Sequence, residues 1–179
     1  MVYITISSTD NRDENKVTEL PVILPLFLFI CYADVQKGSR AREYEGAIEW
    51  LCQAGLVHRV SAIGTPRLPL SAYKKDNAFK LYLNDVGLLG RKLDLDATTV
   101  LMGDNFFTEF KGVMAENYVL QALVRQYGSK YYYWTSGNTA EVEFLLQDTG
   151  KIIPIEVKAD KNVTAKSLAY YRKQYLSKL

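Results

Sequence analysis

The stretch YYYWTSGNTAEVEFLLQDTGKIIPIEVKAD, residues 131–160, decides how this chain is read. Its apolar runs are separated by two clusters of turn formers, Ser136-Gly137-Asn138 and Asp148-Thr149-Gly150. Runs of this length between such clusters predict three strands. Side chains alternate along a strand, so Ile152, Pro154, Glu156 and Lys158 share one face, opposite Ile153, Ile155 and Val157. Glu156 and Lys158 are therefore neighbours. The same alternation places Glu141, Glu143 and Leu145 on one face of the preceding strand, and Val142, Phe144 and Leu146 on the other. Glu143 meets Glu156 only if residue 143 pairs with 156 or 158. A two-residue loop at Thr149-Gly150 gives that register, whereas a three-residue loop on a regular ladder sets Val142 opposite Glu156.

Upstream, residues 105–127 read as a long amphipathic helix. Phe106, Phe110, Val113, Leu120, Leu123, Val124 and Tyr127 recur at helical spacing, and Glu116 stands on or beside their stripe. The order is then a helix acid, a strand acid (Glu143) and a strand E-x-K (Glu156, Lys158). Two carboxylates can hold a hard divalent cation, and a lysine beside them can orient water or stabilise phosphate. A plain E-x-K triplet carries little weight. Glu109-Phe110-Lys111 repeats it and Glu14-Asn15-Lys16 has the same spacing, but neither has the apolar strand context. The competing reading of Glu116 is a solvated side chain at the margin of the stripe.

Composition narrows the chemistry. With 179 residues, 48% of them hydrophobic, the chain holds one large domain or two small ones around a real core. His58 is the only histidine, which excludes multi-histidine metal centres and argues against a Ser-His-Asp triad. Cys31 and Cys52 form no C-x-x-C pair and sit among apolar residues, as expected of reduced thiols in a cytoplasmic protein. The net charge is only +2, but residues 151–179 hold seven basic and two acidic side chains, so the charge is concentrated at one end. A basic end on a mildly acidic body suits phosphate; a solvated helix face is the competing reading.

Residues 1–19 are polar apart from the β-like VYITIS, which suggests a mobile terminus or an edge strand. The apolar core of LPVILPLFLFICYADV, Leu20 to Ala33, is too short to span a bilayer and is interrupted by Pro21 and Pro25. It reads as a buried strand or as a surface for a protein partner or self-association, with no membrane role. Residues 39–54 read as a helix with Ser39 as N-cap, Tyr44, Ile48 and Leu51 as its stripe and Gly55 as its stop. The run LVHRVSAIGTPRLPLSAY, broken at Gly64-Thr65-Pro66, and then FKLYLND supply hairpin or wing chemistry, and VGLLG a turn or short helix. Helix followed by hairpin is the order of a winged helix. Lys37, Arg40 and Arg42 at its start would be the phosphate contacts of a nucleic-acid-binding segment. Residues 164–176 read as a final helix with Leu168, Tyr171 and Tyr175 on one stripe.

From about Asp34 to Tyr175 the sequence resembles the C-terminal half of a large family of prokaryotic AAA+-type ATPases of uncharacterised function. The resemblance is carried by SRAREYEGAIEWLCQAGLVHRV, FKLYLNDVGLLG, FKGVMAENYVLQAL, YYYWTSGNTAEVEFLL and IIPIEVKAD. It implies an α/β chain with a divergent segment at residues 1–33, a winged-helix-like segment at 34–100 and a PD-(D/E)xK, restriction-endonuclease-like domain at 101–179. That last domain would be a mixed sheet flanked by helices, cut short at Leu179, where such domains continue with further strands. By position, Glu116 matches the family's helix acid, Glu143 its strand acid, usually Asp, and Glu156 and Lys158 its E-x-K pair. A catalytic site would then use these four residues. Glu143, Glu156 and the Val157 carbonyl would ligate Mg²⁺ or Mn²⁺. The family's ATPase module has no counterpart, because no G-x-x-x-x-G-K-[ST] loop occurs and no ATP site is expected. Two functions follow as expectations: a metal-dependent nuclease-like module, or a non-catalytic DNA- or protein-binding regulatory module in which the carboxylates hold Lys158 in a structural ion pair.

Overall fold

The computed structural model describes residues 2–6, 16–20, 30–31, 41–92, 105–128, 130–137, 139–159 and 165–175. Among them the chain runs β1 (Val2–Ile6), β2 (Lys16–Leu20), β3 (Ile30–Cys31), α1 (Ala41–Gln53), β4 (Val57–Ile63), a 3-10 turn (Leu70–Tyr73), β5 (Lys74–Leu83), α2 (Val86–Lys92), α3 (Asn105–Tyr127), β6 (Tyr131–Thr135), β7 (Glu141–Asp148), β8 (Lys151–Lys158) and α4 (Lys166–Tyr175). This is a mixed α/β protein. It divides into two compact units that interleave along the chain. One comprises Met1–Val22, Ser61–Asp76 and Lys130–Leu179, the other Ile23–Val60 and Asn77–Ser129.

In the first unit the strands lie in the order β2-β1-β8-β7-β6-β4. The pair β4–β6 is parallel and the remaining pairs are antiparallel, so the sheet is mixed. Strand β1 lies between β2 and β8, with Ile4 opposite Thr18 on one side and Val157 on the other. It is therefore an interior strand, not the edge strand or loose terminus that its polar flank suggests. The expected meander of three strands is present. The β7–β8 hairpin turns at Thr149-Gly150, with Asp148 opposite Lys151. Both turn residues have positive φ, 42° and 78°, the signature of the type I′ turn whose twist matches a two-residue hairpin.

Alternation does not survive along β7. Tyr132 pairs with Leu145 but Trp134 pairs with Val142, so Glu143 and Phe144 together stand opposite Tyr133. This is a β-bulge, and it turns the residues beyond it by one step. Val142 and Leu145, which strict alternation assigns to opposite faces, consequently share one core cluster with Ile63, Leu70, Trp134, Ala140 and Tyr171. Helix α4 contributes the expected stripe: Leu168 and Tyr171 are buried, and half-buried Tyr175 packs on the same cluster. Trp134 meets Tyr171 edge-on, with ring centroids 5.3 Å apart.

In the second unit α1 ends as its sequence predicts. Gly55 has φ 71°. Its N–H donates to the Cys52 carbonyl at 3.0 Å, and the Leu56 N–H donates to the Leu51 carbonyl at 3.0 Å, forming the two-bond Schellman stop. Leu51 packs on the cluster of Ile48, Val57, Phe79 and Leu81, whereas Trp50 is 63% exposed. Helix α3 spans the expected residues, but its buried face is set by Met114, Ala115, Asn117, Val119, Leu120 and Gln121. Of the expected stripe, Leu120 is fully buried and Tyr127 is exposed, while the side chains of Phe106 and Phe110 lie outside the described residues. Of the stretch Leu20–Ala33, residues 21–29 and 32–33 lie outside the described residues. Among the described residues, no helix is long and apolar enough to cross a membrane.

Candidate functional site

The far end of the β7–β8 hairpin gathers three of the expected site residues. Glu156 is buried mid-sheet between the apolar Ile155 and Val157, and its residue is 0% exposed. Burying a carboxylate in this way is costly unless its oxygens find partners. Oε1 lies 2.8 Å from the Lys158 ammonium, two residues along the same strand face, as alternation requires. Oε2 accepts the Leu168 N–H at 2.9 Å.

That second bond follows from the local sequence of α4. The first bond of the helix runs from the Ala169 N–H to the Ala165 carbonyl at 3.0 Å, which makes Ala165 the N-cap residue. Alanine has no side-chain oxygen to accept the N–H groups of the first turn. Glu156 supplies the missing acceptor from a neighbouring strand, and its negative charge lies at the positive end of the helix dipole. The E-x-K pair thereby fastens α4 to β8.

Glu143 acts beside it. The β7–β8 ladder runs from Asp148–Lys151 to Phe144–Ile155, and it ends beside the residues at which β7 bulges against β6. Beyond that point the Glu143 carboxylate serves β8: its Oε2 receives the Val157 N–H at 3.1 Å. Without it that buried N–H would be an orphan. Glu143 is itself only 8% exposed.

Glu116 belongs to the second unit and serves β5. It accepts the Tyr82 hydroxyl at 2.9 Å and stands 3.7 Å from the Lys80 ammonium. Tyr82 and Lys80 are themselves buried, so Glu116 is a partnered, half-buried acid and not a solvated one. The neighbouring Asn117, which sequence reasoning passed over, is 0% exposed and clamps the end of β5. Its Nδ2 donates to the Leu83 carbonyl at 2.8 Å and its Oδ1 accepts the Leu83 N–H at 3.0 Å. The only sequence signal for it is an amide on the apolar stripe of α3. Of the nucleic-acid residues, Lys37 and Arg40 lie outside the described residues, as does the side chain of Arg42.

Magnesium and manganese require several freely offered oxygens. Glu156 Oε2 accepts the Leu168 N–H and one Glu143 oxygen the Val157 N–H, whereas the buried Glu156 Oε1 lies beside the Lys158 ammonium at 2.8 Å but has no hydrogen-bond partner. Among the described residues, no three His, Cys, Asp or Glu side chains gather where they could hold a metal.

Comparisons with known proteins place two family models on the chain. Residues 111–179 match a domain of unknown function, DUF4143, which is commonly found in AAA-ATPase-associated proteins. Residues 30–99 match a second domain of unknown function, DUF8612. No curated protein and no solved structure matches the chain. The first-unit core draws on both matched stretches, since Ile63 and Leu70 pack with Trp134, Val142 and Leu145.

Proposed function

We propose that this chain is a non-catalytic binding module that works beside an AAA-type ATPase, with a nuclease-like carboxylate–lysine arrangement retained as a structural clamp. The observation that carries the reading is the state of Glu156: wholly buried, with one oxygen on Lys158 and the other on the first turn of α4. A catalytic carboxylate must be free to exchange its partners during turnover, and this one closes the fold. The order of helix acid, strand acid and E-x-K across adjacent antiparallel strands supports descent from a PD-(D/E)xK-like domain. Helix α1 followed by β4 and β5 supports a winged-helix-like ancestry for the segment before it. Fold does not carry activity with it.

The alternative is a working phosphodiesterase with Glu143, Glu156 and the Val157 carbonyl on Mg²⁺ or Mn²⁺ and Lys158 beside them. What favours it is that Glu143 is bonded to Val157, the residue between Glu156 and Lys158. Two measurements separate the readings. Calorimetric titration with Mn²⁺ is expected to give no saturable heat that Glu156→Gln abolishes. Urea denaturation of Lys158→Met is expected to show a clear loss of stability, because it leaves the buried Glu156 carboxylate without the half-buried ammonium beside it. Micromolar Mn²⁺ affinity lost in Glu156→Gln, or metal-dependent cleavage of DNA or RNA lost in a stably folded Lys158→Met, would overturn the clamp.

A further inference from the structure

The side of β8 turned away from β7 is built as an edge. Successive residues of an antiparallel strand direct their backbone N–H groups alternately to its two neighbours. The Val157 N–H turns toward β7, where Glu143 accepts it at 3.1 Å. Alternation then turns the N–H groups of Glu156 and Lys158 toward β1. It turns the nitrogen of Pro154 the same way, and proline has no N–H to give there. Within sheets, proline is confined to open edges, first residues and bulges. Pro154 is neither the first residue of β8 nor at a bulge, since it pairs in regular register with Leu145. Its presence therefore marks the β1-facing side of β8 as an edge.

Strand β1 covers that edge only in part. The ladder runs from Tyr3–Lys158 to Ile6–Ile155 and stops where Pro154 comes next. Among the described residues, 151–154 have no strand partner on this side. Strands β1 and β2 also lie outside both of the matched stretches, 30–99 and 111–179. The β1–β8 pairing is thus a strand laid on an edge. Its backbone bonds are of a kind that another extended segment can make, which is how strand addition recognises peptides.

We propose that the outer edge of β8 is a strand-accepting site for an extended segment of a partner protein, and that β1 holds it in cis until such a segment displaces it. The incoming strand lies antiparallel to β8, as β1 does, and exchanges backbone hydrogen bonds with Glu156 and Lys158. Its residues opposite those two cannot be proline. The proposal gives the binding-module reading a class of partner and rests on it. The clamp is made by the side chains of Glu156 and Lys158 and the accepting edge by their backbone, so each can fail alone.

The test uses the full chain, with a fluorescent peptide of residues 1–8 as the strand in trans and anisotropy as the readout. In wild type the tethered β1 competes at high effective concentration, so weak binding is expected. Thr5→Pro removes the N–H that β1 directs at Glu156. This variant is expected to keep a cooperative urea transition and to bind the peptide about tenfold or more tightly than wild type does. The peptide that itself carries Thr5→Pro should not bind. Hydrogen exchange reads the site amide by amide. The Glu156 and Lys158 amides should lose protection in the Thr5→Pro chain and regain it with peptide, while the Val157 amide, held by Glu143, stays unchanged. Loss of the cooperative transition in Thr5→Pro would overturn the proposal, because β1 would then be part of the fold and not an occupant of its edge. So would a folded Thr5→Pro chain that binds the peptide no better than wild type, equal binding of the proline-bearing peptide, or binding that leaves the Glu156 and Lys158 amides unprotected.

Discussion

Asn117 and Tyr171 show how much one buried polar side chain can decide. Asn117 meets both backbone groups of Leu83 with one amide, a geometry that neither aspartate nor leucine can reproduce. Replacing it with alanine leaves a buried donor and a buried acceptor without partners, and the expected loss is about 3 kcal/mol in urea denaturation. Glu116, one residue earlier, has a partly exposed carboxylate, so Glu116→Gln is expected to cost less than Asn117→Ala when the two are compared in the same buffer. Tyr171 is 1% exposed, and burial first, with Tyr175 second, holds its hydroxyl well above the ordinary tyrosine range. The folded state therefore keeps this proton longer than the unfolded state does. Its contribution is complete below the unfolded tyrosine value, near pH 10, and is lost as pH rises beyond it. Stability measured across that alkaline window should fall more steeply in wild type than in Tyr171→Phe.

Among the elements, the β7–β8 turn and α4 carry the clearest consequences. Thr149 holds φ 42°, a left-handed conformation that a β-branched residue adopts at a cost, whereas Asn-Gly is the preferred type I′ pair. Thr149→Asn is expected to raise stability by roughly 1 kcal/mol in thermal or urea denaturation. Gly150→Ala, at φ 78°, is expected to lower it by a similar amount. Helix α4 begins at Ala165 without a capping side chain, and Glu156 supplies the cap from β8. An Ala165→Ser variant in Glu156→Gln should therefore recover part of the lost stability, because a local hydroxyl can take over the amide that the carboxylate served. No recovery in the double variant would show that the charge, and not the cap, is what Glu156 provides.

At the scale of the molecule, the two units share one winding chain. The first-unit core takes Ile63 and Leu70 from the middle of the sequence and packs them with Trp134, Val142, Leu145 and Tyr171. The pairs Ser61–Tyr132 and Ile63–Trp134 also join β4 to β6. A fragment of residues 101–179 lacks β4 and both core side chains, as well as β1, which pairs along β8 from Tyr3 to Ile6. It is expected to give poor dispersion in amide NMR spectra and no cooperative urea transition, whereas the full chain gives one. A cooperatively folded fragment would show that β6, β7, β8 and α4 suffice for the core.

The sequence by itself determined the elements. Periodicity located α3 and α4, Gly55 ended α1, and turn formers divided residues 131–158 into three strands, because each of these signals acts over a few neighbouring residues. It also made Glu156 and Lys158 neighbours, since one strand's alternation suffices for that. It narrowed the hairpin to two registers, and the Thr149-Gly150 turn chose between them. Tertiary structure decided the rest. The bulge at Glu143-Phe144 belongs to the pairing of β7 with β6, so alternation failed there, and Glu143 accepts a backbone N–H of β8. Glu116 found Tyr82 and Lys80, more than 30 residues away in sequence, and Glu156 found the uncapped start of α4. A buried carboxylate takes whichever donor the fold brings to it, and spacing along one strand cannot name a donor that arrives from another element.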